Sequence, residues 1–536
     1  MPEEITTDQY SRWMGLIYIF NLIVGTGALT LPAVFSLAGW GLGIAVILLL
    51  AIISFITATF VIEAMASANA IVTWRDIQHK KRVGACQESS CIESNLKVMQ
   101  VIGESEPSNS DSEETPLVAQ ITDTPNPTDS NYRYYIIHNK IEMGQMTSIL
   151  FSKFGNTLFY LCLVIYLYGD LSIYGAAVAK SIVDIACTYQ PANTTCNDSI
   201  PVTEPCAEGS IFNRFNAYRM FLTNFIILVV PFVLYNVQKT KYLQLLTSAV
   251  RWFAFSIMII YATRKIILYG PQGDPPVASI SGIPTLFGAC VYSFMCHHSL
   301  PALIAPIANK SSLNRSLALD YLLIASFYLL LAVTGAFAFR HLDDLYTLDF
   351  GPRSSGDCST SSNVFLIFIE YFLALFPVFT LSTNFPIIAI TLRNNLQTLL
   401  FKDDSLNHSR IKKFICVCLA VIPPYLVAMT TMDVSKLVSI TGSYAGVGIQ
   451  YLIPTFLVYY ARKETNKTIG LGVVNNFASP FSSTIWLVLV IAWAIACMIL
   501  ATVHLMQLHF LSGSSAYIDE LQSALSRNAQ IFNIRQ

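Results

Sequence analysis

The chain has 536 residues, of which 54% are hydrophobic and only 12% are charged, and its mean hydropathy is +0.54. This composition excludes an ordinary soluble globular protein and indicates an integral membrane protein. The formal net charge of −1 gives no support to nucleic-acid binding. The sequence shows no phosphate-binding loop, nucleophile elbow or metal-ligand spacing, so we expect neither an enzyme nor a resident cofactor.

Long apolar runs predict an all-α membrane protein with eleven transmembrane spans. An odd number puts the two ends of the chain on opposite sides of the membrane, and the Lys and Arg of the short loops place the N-terminus in the cytosol. The acidic start lacks the basic region of a cleavable signal, so span 1 is expected to act as the insertion signal. The spans, numbered 1 to 11, lie at 13–36, 40–70, 157–185, 217–236, 243–268, 283–307, 318–339, 363–390, 413–430, 436–459 and 482–506.

The chain accordingly divides into a cytosolic N-terminus (1–12), spans 1 and 2 (13–70), a loop (71–145), spans 3 to 11 (146–506) and a non-cytosolic tail (507–536). The loop is acidic and Ser-rich, with the run SEPSNSDSEETP at 105–116. Such a composition cannot bury enough apolar surface to fold, so we expect a disordered cytosolic segment. We interpret it as a solvated linker, with a regulatory or sorting segment as the alternative.

The loop between spans 3 and 4 is non-cytosolic in this topology. Asn193 and Asn197 begin glycosylation sequons there, and glycans are expected on both. Four cysteines in the non-cytosolic loops form an even set in an oxidising compartment, which predicts one or two disulfides and leaves the pairing open. These cysteines are Cys187, Cys196, Cys206 and Cys358.

Two spans contain a polar interruption. Span 1 is interrupted by Gly25, Thr26 and Gly27, and span 6 by the sequence CHHS at 296–299. A bilayer offers no water to unpaired backbone groups, so a broken helix persists only where it lines a cavity or a buried site. The alternative for the glycines is a packing notch for a neighbouring helix. Five spans separate the breaks, which fits a five-plus-five inverted repeat with one site between spans 1 and 6.

Three segments also carry a family resemblance: NLIVGTGALTLP at 21–32 followed by AGW at 38–40, YSFMCHHSLP at 292–301, and SITG with YLIP at 439–454. They resemble the amino acid/auxin permease family of the amino acid, polyamine and organocation superfamily, and within it most closely the transmembrane protein 104 group. The resemblance implies a leucine-transporter-like fold with broken helices 1 and 6, and secondary transport of amino acids. The substrate residues expected on this basis are Gly25, Thr26, Gly27, Tyr168, Asp170, Tyr292, Ser293 and His297.

Span 8 contributes a candidate sodium site. Hydroxyl and amide oxygens are the hard ligands that a sodium ion needs, and Asn21 of span 1 matches a sodium ligand of related transporters. The alternative is that the hydroxyls only bond back to their own helix beside the prolines. The candidate ligands are Asn21, Thr380, Ser382, Thr383 and Asn384.

Ionisable residues at membrane depth are costly and need a reason. Asp170 is interpreted either as functional or as the partner of a basic group such as Arg251, and Lys180 is expected to pair with Asp184 on its own helix. A proton could be carried by Asp170, Glu370 or the two histidines of span 6. The residues of this kind noted in the spans are Glu63, Asp170, Lys180, Asp184, Arg251, His297, His298 and Glu370.

Two functions remain open from the sequence. The first is a secondary active transporter, coupled to sodium or protons, that takes an amino acid as substrate and works by alternating access in the plasma or an endolysosomal membrane. The second is a non-transporting receptor or scaffold of the same fold that signals through residues 75–140.

Overall fold

The computed structural model describes residues 9–101, 134–189, 200–209, 212–234, 241–351, 364–400, 410–470, 473–503 and 505–506. Regular structure in these ranges is helical, and extended pairing is limited there to two isolated bridges. Eight helices in them are long and apolar enough to cross a membrane, or nine when a bent pair counts as one span. The protein is therefore an all-α membrane protein.

The helices follow the predicted apolar runs closely. They are α1 (Arg12–Ile23), α2 (Thr26–Ala38), α3 (Trp40–Val101), α4 (Met143–Leu150), α5 (Lys153–Ala186), α6 (Arg214–Leu234), α7 (Lys241–Tyr269), α8 (Ile283–Ser293), α9 (Leu300–Ile304), α10 (Leu313–Ala338), α11 (Val364–Leu400), α12 (Arg410–Ala428), α13 (Val434–Thr441), α14 (Ile453–Thr468) and α15 (Thr484–Val503). Predicted spans 1 and 6 each correspond to two of these helices separated by a break, and span 10 corresponds to two helices that are joined by π-helical turns.

The three interrupted spans differ in how they are broken. Span 1 is the bent pair α1 and α2, whose axes differ by 53°. Span 6 is the pair α8 and α9, which is too short on each side of its break to pass as a single membrane helix. In span 10, two π-helical turns, Gly442–Gly446 and Gly448–Leu452, connect α13 to α14. Such π turns are frequent at functional sites because they re-aim the side chains of a helix.

The core lies where the broken spans meet the long helices. Helix α2 packs against α8 and α10, α14 packs against α3, and α5 runs along α11. Helix α7 keeps many large apolar side chains exposed, including Trp252, Phe253 and Ile260. Apolar side chains exposed on a membrane helix need no protein partner because lipid covers them.

The ordered protein extends into the segment predicted as loop 71–145. Helix α3 continues to Val101, and residues 134–145 contain the buried side chains Tyr135, Ile137 and Ile141. The packed part of the chain that follows this loop thus begins at residue 134 rather than 146, because these apolar side chains contribute to the core. The predicted glycan sites Asn193 and Asn197, and also Cys196, Cys358 and residues 507–536, lie outside the described residues.

Cys187 and Cys206 form a disulfide, with their Cα atoms 4.3 Å apart. The structure thus confirms a disulfide between two of the four candidate cysteines and supplies the pairing that the sequence left open. The bond joins the residue that follows α5 to the short segment that precedes α6.

Replacing Cys187 with alanine should lower the melting temperature of the purified protein. The bond closes a loop of 19 residues, and its loss should destabilise by about 3 kcal/mol through the entropy of the unfolded chain. Thermal unfolding followed by intrinsic fluorescence measures this. Cys418→Ala is the matched control, because Cys418 is a free, half-buried thiol. Equal melting temperatures for wild type and Cys187→Ala would contradict the prediction.

Candidate functional site

The break in span 1 leaves backbone groups without helical partners in the protein interior. Helix α1 ends at Ile23 and α2 begins at Thr26, with Gly25 in an extended conformation between them (φ −123°, ψ −146°). The first N–H groups of α2 and the last carbonyls of α1 have no partner within their own helices. The positive end of the α2 dipole therefore lies inside the protein, where an anionic group is favoured.

The break in span 6 is a buried turn of six residues. Helix α8 ends at Ser293 and α9 begins at Leu300; the N–H of Met295 donates to the carbonyl of Tyr292 in α8, and that of Ser299 donates to the carbonyl of Cys296 within the turn. His297 is completely buried. Because Pro301 follows at the start of α9, the second helix cannot continue the hydrogen bonding of the first.

The two breaks meet. A Cβ atom added to Gly27 would lie only 2.7 Å from the Cα atom of Ser293, so α2 and α8 approach backbone to backbone. The hydroxyl of Tyr328 on α10 lies 2.9 Å from the carbonyl oxygen of Ile23 and 2.9 Å from that of Ser293. One side chain therefore contacts the last carbonyl of each helix that precedes a break.

A buried acid borders this meeting point. Asp170 of α5 is 6% exposed and accepts a hydrogen bond from the hydroxyl of Tyr292 at the end of α8. The ring of Tyr166 lies 5.4 Å from that of His298 and 6.4 Å from that of Tyr292. Of the predicted substrate residues, the structure thus gathers Gly25, Thr26, Gly27, Asp170, Tyr292 and Ser293 around the two breaks.

Tyr168 and His297 are not part of this group. The Tyr168 hydroxyl donates to the carbonyl of Leu419 on α12, and His297 Nε2 lies 2.9 Å from Thr57 Oγ1 of α3. The rings of Tyr166 and His298 lie next to each other beside the breaks. Helical periodicity could have found Tyr166, since residues four apart share a face and residues two apart do not.

The candidate sodium ligands make other contacts. Thr380 and Thr383 donate to the carbonyls of Phe376 and Thr380 in their own helix, at 2.9 Å each, as in the alternative interpretation of span 8. Ser382 and Asn384 are half-buried on the same helix. The side-chain amide of Asn21 is buried without a partner, and its main-chain carbonyl accepts a hydrogen bond from Arg251.

Arg251 places a second charge at the broken helices. It lies on α7, is 8% exposed, and its guanidinium donates to the carbonyl of Asn21 near the end of α1. Among the ion pairs of the described residues, none joins Arg251 to Asp170. The interior therefore holds one buried acid and one buried base that are not paired with each other, so the alternative of a structural Asp170–Arg251 pair is not observed.

One side of the site is closed by the loop between α10 and α11. Its 3-10 turn Tyr346–Phe350 is buried and packs against α2 and α11. Lys180 of α5 forms an ion pair with Asp344 in this loop rather than the expected pair with Asp184, and the second oxygen of Asp344 accepts from the N–H of Val434 at the start of α13. Lys180 thus pairs with Asp344, which is distant in sequence, although the helical spacing predicted Asp184 as its partner.

The other side is closed by two groups of contacts. Glu63 of α3 binds Arg462 of α14 through two hydrogen bonds of 2.7 and 2.8 Å and also accepts from the N–H of Ser479. Tyr10 pairs with the strand-like segment after α9, where its N–H donates to Pro306 and its carbonyl accepts from Ala308. The breaks are therefore covered on both sides.

Replacing Asp349 with asparagine should flatten the pH dependence of stability. Burial in the 3-10 turn Tyr346–Phe350 raises the pKa of the Asp349 carboxyl well above its usual range, and the nearby Asp343 raises it further. Lys180 and Lys265 lower this pKa. A carboxyl whose pKa is higher in the folded protein than in the unfolded chain (about 3.9) stabilises in acid and loses that contribution as pH rises through the folded value.

The melting temperature of the wild type should therefore rise on acidification from neutral to mildly acidic buffer, and that of Asp349→Asn should rise by a few degrees less. The exposed Asp274, replaced by asparagine, is the control. Parallel pH profiles for wild type and Asp349→Asn would contradict the prediction.

Comparison with known proteins identifies the class. Residues 8–81 and 130–500 match the family described as "Transmembrane amino acid transporter protein", so the chain belongs to this family. This confirms the family predicted from spans 1, 6 and 10. Both the family and the names of the relatives point to a non-enzymatic, transporter-like membrane protein.

The relatives compared with this chain share the name Transmembrane protein 104. The chain is 48% identical over 509 residues to Transmembrane protein 104 homolog of Drosophila melanogaster, covering 92% of this chain and 97% of that protein. It is 43% identical over 518 residues to Transmembrane protein 104 of Homo sapiens (94% and 99%) and 33% identical over 517 residues to the homolog of Dictyostelium discoideum (92% and 96%). The resemblance to the transmembrane protein 104 group is thereby confirmed as well.

Proposed function

We propose that the protein is a secondary active transporter of amino acids that works by alternating access around the broken spans 1 and 6. The observation that carries the proposal is the meeting of two helix breaks at Gly27 and Ser293, beside one buried acid and one buried base. Breaks of this kind persist in a membrane where they form a binding site.

The proposed architecture has eleven spans in a five-plus-five inverted repeat. Nine spans follow from the long helices and the bent pair α1 and α2. Spans 6 and 10 bring the number of spans to eleven. Span 6 consists of α8 and α9, span 10 consists of α13 and α14, and each runs through the core but is interrupted. Spans 1 and 6 then hold equivalent positions in the two repeats. The N-terminus is cytosolic, the tail non-cytosolic, and Asn193 and Asn197 carry glycans in the plasma or an endolysosomal membrane.

The substrate is a zwitterion. Its carboxylate binds at the start of α2, where N–H groups are free and Arg251 lies close to the end of α1. Its ammonium group binds near Asp170, which already accepts from Tyr292. A ligand with both charges satisfies the acid and the base together, whereas each group unpaired in the membrane interior costs several kcal/mol.

The coupling ion is a proton rather than sodium. The guanidinium of Arg251 binds the carbonyl of Asn21, the residue that would have to ligate sodium. Two like charges about 4 Å apart repel by about 4 kcal/mol at an effective dielectric constant of about 20. A sodium ion held by Asn21 and the span 8 hydroxyls would bear this cost.

Uptake by purified full-length protein in liposomes tests the proposal. A panel of radiolabelled amino acids is offered with and without sodium and with an inward proton gradient, and empty liposomes serve as the control. Saturable uptake that grows with the proton gradient and does not need sodium is expected. No uptake or exchange of any amino acid would overturn the transporter proposal in favour of the receptor or scaffold alternative, and strict sodium dependence would overturn proton coupling alone.

A further inference from the structure

A further buried acid, Asp320, was not among the charged residues noted in the spans. Asp320 of α10 is 4% exposed, and its Oδ2 atom is buried without a hydrogen-bond partner. It is seven residues along a helix that begins at Leu313, so it lies about 10 Å from that end of α10 and close to the start of span 7 (318–339). The sequence signal is a single Asp in an otherwise apolar run.

Asp320 lies near the break of span 6. The neighbouring Tyr321 hydroxyl lies 3.2 Å from the sulfur of Cys296 in that break, and Asp320 is within electrostatic reach of both groups. The Tyr321 ring packs on Phe294 of the same break and on Phe55 of α3. Movement of the break therefore changes the surroundings of Asp320.

No basic group balances this acid in the part of the chain that the structure describes. Asp320 forms none of the ion pairs found there. Several charged or titratable groups on the elements around α10 have other partners or face outward: Arg12 donates to Ser311, Lys310 donates to Ile307, Arg251 donates to Asn21, His297 bonds to Thr57, Glu63 binds Arg462, and Arg315 is exposed.

An unpaired carboxylate buried in the protein would cost several kcal/mol, which is more than the burial of the neutral acid costs. Asp320 is therefore uncharged in the closed conformation. Near the start of α10, where Arg12 donates to Ser311, a seal is formed by Tyr10, which pairs with Pro306 and Ala308, and by Gly15, which lies against Ile307. Opening of this seal admits water, and water stabilises the carboxylate.

We infer that Asp320 is the proton-binding residue of the transport cycle, which rests on the proposed proton-coupled transport. The Asp320 side chain stays protonated while the seal is closed. When the seal opens, the O–H bond breaks, the proton passes to water on that side, and the carboxylate remains until it is reprotonated. The other candidates fit less well, since Asp170 binds Tyr292 at the substrate site and Glu370 is only half-buried.

Infrared difference spectroscopy on the purified full-length protein tests the protonation state without any substrate. At neutral pH, the spectrum of wild type minus Asp320→Asn should contain the carbonyl stretch of a protonated carboxylic acid. The matched control is Asp274→Asn, because Asp274 is an exposed residue of a loop. Absence of the band in the Asp320→Asn difference would overturn the inference.

Transport by the same variants in proteoliposomes tests the role. A mixture of radiolabelled amino acids is used for proton-driven net uptake and for exchange against the same unlabelled mixture, which needs no net proton movement. Asp320→Asn should reduce net uptake to the level of empty liposomes and retain exchange, and Asp320→Glu should restore part of the net uptake. Unchanged proton-driven uptake, or loss of exchange as well, would overturn the inference. If the wild type itself shows neither activity, the proposed function fails, and the infrared result still reports on Asp320.

Discussion

Replacing Gly27 with alanine should strongly reduce amino-acid uptake. The new methyl group would lie 2.7 Å from the Cα atom of Ser293 and in contact with its side chain, so the two broken spans would have to separate. Overpacking of this kind costs about 1–3 kcal/mol, and a closed state destabilised by that amount is about fivefold to 150-fold less populated. Initial uptake rates in proteoliposomes, normalised to the amount of folded protein, measure the effect.

Gly25→Ala is the matched control. A Cβ atom at Gly25 would meet only the carbonyl oxygen of Ile23, at 4.0 Å, so this variant should keep most of its activity. Combining Gly27→Ala with Ser293→Gly removes part of the clash and should restore part of the uptake. Equal loss in the two glycine variants would contradict the geometry, because it would make helix flexibility rather than close approach the reason for the glycines.

The second large effect is expected from Asp170→Asn. Asparagine keeps an oxygen that accepts from Tyr292 but removes the negative charge, so a bound ammonium group loses its partner. Loss of one member of a buried charge pair costs about 2–5 kcal/mol, which corresponds to a fall of roughly thirtyfold or more in uptake at low substrate concentration. The concentration dependence of uptake should show that the change lies mainly in KM.

Tyr292→Phe separates the charge of Asp170 from its hydrogen bond. This variant keeps the carboxylate and removes only the phenol that donates to it, so its effect on KM should be the smaller of the two. A larger effect for Tyr292→Phe would assign substrate binding to the phenol, and Asp170 would then serve to position it.

The breaks could be predicted from the sequence because they depend on local chemistry. Glycines and prolines interrupt a membrane helix wherever they lie, and the structure has its breaks beside Gly25 and Pro301. The side chains that face the breaks were harder to predict. A choice between Tyr166 and Tyr168, or between His297 and His298, depends on the rotation of each helix against its neighbours, which one sequence does not contain.

Long-range partners were also beyond the sequence. Lys180 and Asp184 have the spacing of a helical ion pair, yet the loop after α10 brings Asp344 to Lys180. The pairing of Cys187 with Cys206 similarly needed the positions of α5 and α6. Asp320 was not noted because a single acid in an apolar run indicates nothing about its depth or its lack of a partner.

The position of Tyr328 has a consequence for leakage across the membrane. Its hydroxyl is equally distant from the carbonyls of Ile23 and Ser293, so its single hydrogen is shared between both of them. Displacement of either break therefore changes the hydrogen bonding available to the other, and the two breaks behave as one conformational degree of freedom. Conformations in which one broken span has moved alone would leave a carbonyl unpaired in the membrane interior. Such conformations should be rare. States that would let ions pass without substrate should therefore be rare as well.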